Sequence, residues 1–244
     1  MSDNNDGSAI IRAAPAEAVS AVFAATVSVR GYMANHHLWW AQRQATICAE
    51  REAALVAKGD NNIDFEHRML AVGAVMAAVA FLEAHVNELF QDAAESPPGG
   101  GTYRTQGLSD DAITLMRELW SGDVRAPVLD KYQRALVYVR QSKLAPDAEP
   151  YRSADNLMKL RNALVHFVPE TQQSDAEHKL TKRLMSSKAF VMNRQAVGSP
   201  AFPNKVIAAG CARWACDSAM ALVDEWQQRM GLEADYRTYL SGMA

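Results

Sequence analysis

A chain of 244 residues corresponds to one or two domains, long enough to bury a core without disulfides or metal. A hydrophobic fraction of 49 % with 22 % charged residues excludes wholesale disorder, and 13 Gly with 9 Pro in no regular period exclude collagen-like and low-complexity chains. The net charge of −3 conceals an uneven distribution: residues 1–124 carry net −8, residues 125–194 net +6 and residues 195–244 net −1. A basic middle in an acidic chain points towards a polyanionic partner, and a solvated helix surface gives the same pattern.

Alanine contributes 42 residues and aromatics only 8 %. Alanine is the strongest helix former and lets helices approach closely, so the composition predicts an all-α fold. Residues 1–14 read as a disordered tail. From Pro15 to Lys58 the chain is Ala-, Glu- and Gln-rich and predicts one or two helices, with Gly31 as the break and Gly59-Asp-Asn-Asn62 as the stop. Residues Ala21–Val29 are β-branched enough to allow a strand. A long helix is expected from Asp64, a suitable N-cap, to Glu95. Its most apolar run, Met69–Leu82, falls short of a membrane span and is followed by Glu83 and His85, so it reads as a buried core helix. Ser96-Pro-Pro-Gly-Gly-Gly101 stops it, and the loop to Gly107 is the best internal linker.

Ser109-Asp-Asp111 caps the next helix, which Gly122 ends. Pro127 opens another, with Leu129, Tyr132, Leu136 and Val139 on one face. Ser153 is placed to cap a helix carrying the stripe Leu157, Leu160, Leu164 and Phe167, and Pro169 ends it. Residues 170–203 are polar and basic with at most a short helix near 175–188. A last long helix is expected from Asn204 to Met230, with Ile207, Cys211, Trp214, Leu222 and Trp226 on its apolar side. No strand pattern supports a sheet. The organisation expected is a tail (1–14), an N-terminal helical extension (15–62), a helical bundle (63–232) with loops at 96–107 and 170–203, and a C-terminal tail (233–244).

The segment that carries chemistry is Leu160-Arg-Asn-Ala-Leu-Val-His-Phe167. It places a guanidinium, an amide and an imidazole at a helix end whose other face is apolar. Asn162 and His166 are i, i+4 neighbours, roughly 5–6 Å apart at Cβ. Arg161 points about 140° away from His166, and its long side chain can swing towards the same mouth. That set has what metal-free RNA cleavage needs. A histidine can move the proton of the 2′-hydroxyl as it attacks the adjacent phosphate, and an arginine can hold the phosphate through paired donors. A cluster that caps helix carbonyls is the structural alternative.

The string Arg161-Asn-Ala-Leu-Val-His166 resembles the R-x4-6-H motif of HEPN-domain proteins, in which Arg, a polar residue and His end the third helix of a four-helix bundle. Phe81-Leu-Glu-Ala-His-Val-Asn-Glu-Leu-Phe90 looks like the first core helix of that family. The resemblance covers roughly residues 64–230, and the first 60 or so have no counterpart in a minimal domain. It implies a metal-independent endoribonuclease without cofactors, working as a homodimer with both motifs facing one cleft, in a toxin–antitoxin or phage-defence role, with an antitoxin or regulatory protein as a further partner. It also implies an acidic residue facing Arg161, for which Glu83 or Glu88 is available. Two residues after the histidine stands Val168, where some toxins of the family carry a tyrosine that a partner enzyme modifies. The alternative expectation is a non-catalytic module of the same fold that binds nucleotide, RNA or a partner protein.

The remaining candidates read more plainly. Lys179, Lys182 and Arg183 form a basic cluster suited to RNA phosphates, or an ordinary exposed face. His36 and His37 are adjacent and face different sides of a helix, which suits no shared metal. Leu38-Trp39-Trp40 reads as core or interface, and His85 as core. Cys211 and Cys216 are spaced by five, unlike a redox or zinc pair, and with Cys48 read as buried thiols. An odd number of cysteines and the polar, acidic start MSDNNDGS, which lacks the basic head of a signal peptide, predict a cytoplasmic location without membrane contact.

Overall fold

The computed structural model describes residues 30–96, 102–123, 125–169, 179–186, 190–198, 200–233 and 235–238. Every regular element among them is helical: α1 (Ala34–Ala57), α2 (Phe65–Glu95), a 3-10 turn (Tyr103–Thr105), α3 (Asp110–Asp123), α4 (Val128–Tyr138), α5 (Tyr151–Val165), α6 (Lys179–Ser186), α7 (Ala201–Asn204) and α8 (Ala209–Met230). The all-α class follows. The tail expected at 1–14 and the segment Ala21–Val29 lie outside the described residues.

Helix α2 is the central element. Asp64 caps it, its side chain accepting the backbone N–H of His67 at 2.7 Å. The helix packs against α1, α3, α4, α5 and α8. By length and composition it could cross a membrane, and more than half of its most apolar stretch is buried within the protein. Small residues set the spacing to α1: Ala71, Ala74 and Ala78 of α2 and Ala34, Ala41 and Ala45 of α1 are all buried. Gly73 leaves room for the Gln44 side chain of α1, whose amide would stand 2.9 Å from a Cβ there. From Tyr32 onward the chain is one compact unit, and α1 shares its core rather than standing apart as an extension.

Two helix starts differ from the sequence expectation. Helix α5 begins at Tyr151, before Ser153; Glu149 does the capping, its carboxylate accepting the Ser153 N–H at 3.2 Å. Helix α8 begins at Ala209 instead of Asn204, because Phe202 (φ −102°, ψ 125°) breaks α7 and Ala208 is extended. A distant side chain caps α8: Glu52 of α1 accepts the Ala209 N–H at 3.0 Å.

Glu52 is 2 % exposed and also meets His67 Nε2 at 3.1 Å and Arg194 Nε at 2.8 Å. One carboxylate therefore joins α1, the first turn of α2, the 190–198 segment and the start of α8. Burial alone would raise its pKa, but the hydrogen bonds from His67, Arg194 and the Ala209 N–H outweigh that and hold it at about 2, below the ordinary 4.5. Nearby, Cys48, Cys211 and Cys216 are free and buried. Burial pushes the Cys48 and Cys216 thiols up to about 12, and that of Cys211 up as well, which leaves all three inert as nucleophiles.

Replacing Glu52 by Ala leaves an imidazole, a guanidinium and a helix N–H without their acceptor, and should cost about 3–5 kcal/mol in urea unfolding at neutral pH. Because folding depresses the Glu52 pKa, its contribution is complete above pH 4.5 and is lost as pH falls towards 2. An acid titration followed by circular dichroism should show a stability loss in that window that is smaller in the Glu52→Ala protein.

Candidate functional site

Helix α5 rests on α2 and α8 through Ala154, Leu157 and Leu160, all buried. The expected stripe fades before its end. His166 leaves the helical region (φ −103°, ψ 42°), its N–H still donating to the Asn162 carbonyl at 2.9 Å. Phe167 therefore falls off the stripe and is half exposed, its ring 6.3 Å from that of Phe202. The chain continues without regular structure to Pro169, and Val165, His166 and Val168 are exposed.

Arg161 is half buried. Its Nε is shielded from solvent and has no hydrogen-bond partner, and the residue makes no ion pair among the described residues. Asn162 is exposed. The three motif residues thus share one free helix end: a guanidinium not committed to a carboxylate, with an amide and an imidazole open to solvent. The acidic partner implied for Arg161 is not found among the described residues. Glu83 is exposed on α2 and pairs with nothing described. Glu88 is engaged elsewhere: its Oε1 accepts the N–H groups of Met33 and Ala34 at 2.6 and 2.8 Å, and its Oε2 lies 3.2 Å from Arg104. Sequence spacing put both carboxylates on the right helix, but the rotation of α2 about its axis, set by packing on five neighbours, decides where each one points.

The basic cluster stands on α6, which packs on α5. Thr181 and Leu184 face inward, and Lys179, Lys182 and Arg183 are exposed. Arg183 anchors the two helices, 3.1 Å from Asp155 of α5, which Lys159 also approaches at 2.6 Å. Arg183 is therefore partly committed to a structural pair, and the two lysines have no described partner.

The other sequence candidates fall apart from this end. His85 is buried against Phe81, Tyr132, Trp226 and Tyr236, and its Nδ1 lies 3.3 Å from the Tyr132 hydroxyl. Burial, aided by Arg104, lowers its pKa to about 3, so it stays neutral. Trp39 and Trp40 stack on each other at the surface, 38 and 47 % exposed, while Leu38 fills the core. His36 is exposed and His37 half buried.

A cavity of about 340 Å3 that the sequence did not announce opens between the start of α1, the end of α2 and the 3-10 turn. Its wall includes Tyr32, His36, Asp92 and Arg104, and no motif residue lines it. Only the fold brings these segments, up to 72 positions apart, together; no local spacing signals it. Comparison with protein-family models, with curated proteins and with solved structures returns no match.

The exposure of the motif has a measurable consequence. His166→Ala and Asn162→Ala should each change folding stability by less than about 0.5 kcal/mol, whereas Leu160→Ala, which opens a hole between α5 and its neighbours, should cost about 2–5 kcal/mol. Chemical denaturation of the three proteins checks this.

Proposed function

We propose that this chain is a metal-independent endoribonuclease acting through Arg161, Asn162 and His166, as the likeness of the motif to HEPN-domain ribonucleases implies. The observation that carries the reading is the end of α5: among the described residues Arg161 has a buried Nε without a hydrogen-bond partner, Asn162 and His166 on the same helix end are exposed, and the basic face of α6 packs on the same helix. Arg161 holds the scissile phosphate and the charge that grows on it. His166 moves the proton. The 2′-oxygen bonds to phosphorus, the bond to the 5′-oxygen breaks, and the products are a 2′,3′-cyclic phosphate and a 5′-hydroxyl. One proton leaves the 2′-hydroxyl and one is delivered to the 5′-oxygen. Asn162 orients the imidazole or holds a phosphate oxygen, and Lys179 and Lys182 contact flanking phosphates.

Two proton transfers are served most simply by two imidazoles, and this chain offers one at the motif. A homodimer that sets two α5 ends across one cleft supplies the second. The exposed apolar residues flanking His166, namely Val165, Phe167 and Val168, suit such a contact. A toxin or phage-defence role follows from the resemblance alone.

A second reading, a non-catalytic module that binds nucleotide, RNA or a partner protein, is favoured by one observation. The motif lies on an exposed helix end, while the large cavity between α1 and α2 lies among other residues.

The deciding measurement is cleavage of RNA by the purified protein in EDTA. His166→Ala should lower the rate by about 10²–10⁴-fold and Arg161→Ala by about 10²–10³-fold, both with the fold intact. Equal cleavage by all three proteins overturns the assignment, and RNA binding without turnover by the wild type favours the second reading. On binding, Lys182→Ala should weaken affinity evenly across RNA sequences and reduce the slope of log affinity against log salt by about one.

A further inference from the structure

Most arginines that touch the body of this protein meet a carboxylate, as Arg51, Arg183, Arg194 and Arg237 do. Arg68, near the start of α2, differs. It is partly buried and makes no ion pair among the described residues. Its Nη2 donates to Oδ1 of Asn204 at 2.6 Å, a neutral acceptor. Asn204 is 6 % exposed, and its amide is fixed in that orientation because its Nδ2 donates to the Gly198 carbonyl at 3.2 Å. Burial lowers the Arg68 pKa, and no carboxylate offsets the effect. A guanidinium partly desolvated on folding without a counter-charge favours an incoming anion. Lys205, the residue after Asn204, is exposed, and its side chain has no described partner.

The same short helix, α7, reaches the motif. Phe202 is 4 % exposed, and its ring lies 6.3 Å from that of Phe167 at an angle of 36°. It backs a ring that is itself 50 % exposed and follows His166 directly in the chain. Neighbouring Cα atoms are about 3.8 Å apart, so whatever covers the Phe167 ring lies beside the imidazole. Phe202 and Asn204 are two residues apart, so α7 joins an open aromatic face at the end of α5 to two cations at the start of α2. Aromatic faces alternating with cations are how a single nucleic-acid strand is held: a base stacks on the ring and the charges follow the phosphates. The bases of a duplex are stacked on one another and do not reach such a ring.

We propose that an RNA strand leaving the His166 site crosses α7, with one unpaired base stacked on Phe167 and the following phosphates held by Arg68 and Lys205. The inference rests on the reading of the α5 end as an RNA site, and it extends that site to α7 and α2, on the side away from the lysines of α6. A base on the open face of Phe167 leaves Val165 and Val168 for a contact with a second chain.

The test is fluorescence anisotropy of a labelled single-stranded oligoribonucleotide with the full-length His166→Ala protein, across a range of salt concentrations. Adding Phe167→Leu keeps an apolar side chain and removes the aromatic face; it should weaken binding by about five-fold or more. Phe167→Trp should bind as tightly as the parent. On a strand of the same length lacking its bases, the Leu, Trp and parent proteins should bind alike. Arg68→Gln keeps a donor for Asn204 and should reduce the slope of log affinity against log salt by about 0.7, whereas Arg68→Lys should preserve the slope. If circular dichroism shows Arg68→Gln to be unfolded, Lys205→Ala carries the same slope test. The proposal is overturned if the protein does not bind the single strand, if Phe167→Leu binds as its parent does, or if the folded charge variant leaves the slope unchanged. It is also overturned if sedimentation shows that Phe167→Leu weakens binding only by separating two chains. Failure of the track and failure of the ribonuclease reading are distinct. Phe167-dependent binding by a wild type that cuts no RNA in EDTA keeps the track and removes the nuclease. Cleavage that needs His166 and is indifferent to Phe167→Leu keeps the nuclease and removes the track.

Discussion

The buried carboxylate of Glu52 holds together parts of the chain that nothing local would join. It meets His67 at the start of α2, Arg194 in the segment before α7, and the first N–H of α8. A helix N-terminus buried without a capping acceptor leaves donors unpaired at a cost of about 1–3 kcal/mol each; here the acceptor comes from 157 residues earlier in the chain. The three long helices α1, α2 and α8 therefore share one buried polar anchor. Their relative positions then fix the floor on which α5 rests.

A pair of carboxylates does the same at the opposite end of α1. Glu88 takes the N–H groups of Met33 and Ala34, and Arg104 joins Glu88 to Asp92. Helix α1 is thus anchored near its start by Glu88 and near its end through Glu52, and both anchors are acidic side chains set against helix N-termini or cations, as the macrodipole favours.

Much of the fold was legible in the sequence because it rests on short-range physics. Asp64 caps α2, Ser109 receives the Ala112 N–H of α3 at 3.3 Å, and the proline- and glycine-rich stretch after Ser96 marks the end of α2. The misread starts of α5 and α8 share one cause. The acceptor that caps each is a carboxylate that sequence pattern did not nominate, Glu149 just upstream in one case and Glu52 on another helix in the other. The candidate site divides the same way. Arg161, Asn162 and His166 share one helix end because one helix carries them, and the basic residues of α6 are legible as a cluster. Glu83, the Glu88–Arg104 pair and the cavity depend on how helices rotate and meet, which spacing along the chain does not encode. Of Leu38-Trp39-Trp40, Leu38 takes the core position and the two indoles stack at the surface.

The α5 end lies open to solvent. On the ribonuclease reading, Arg161 is half prepared: its Nε is already desolvated, so the cost of removing that donor from water is met at folding rather than at binding. His166, by contrast, faces bulk solvent, where its interaction with a developing charge is weakened by the high dielectric. Something must cover it when the reaction occurs, and the RNA strand covers only one side. The apolar residues 165, 167 and 168 bracket the imidazole, and apolar residues at the rim of a polar site gain by being buried against a protein surface. The same contact that buries them dries the imidazole. On this reading, association of two chains and activation of the motif are one event, and an isolated monomer should have a correctly folded but idle α5 end.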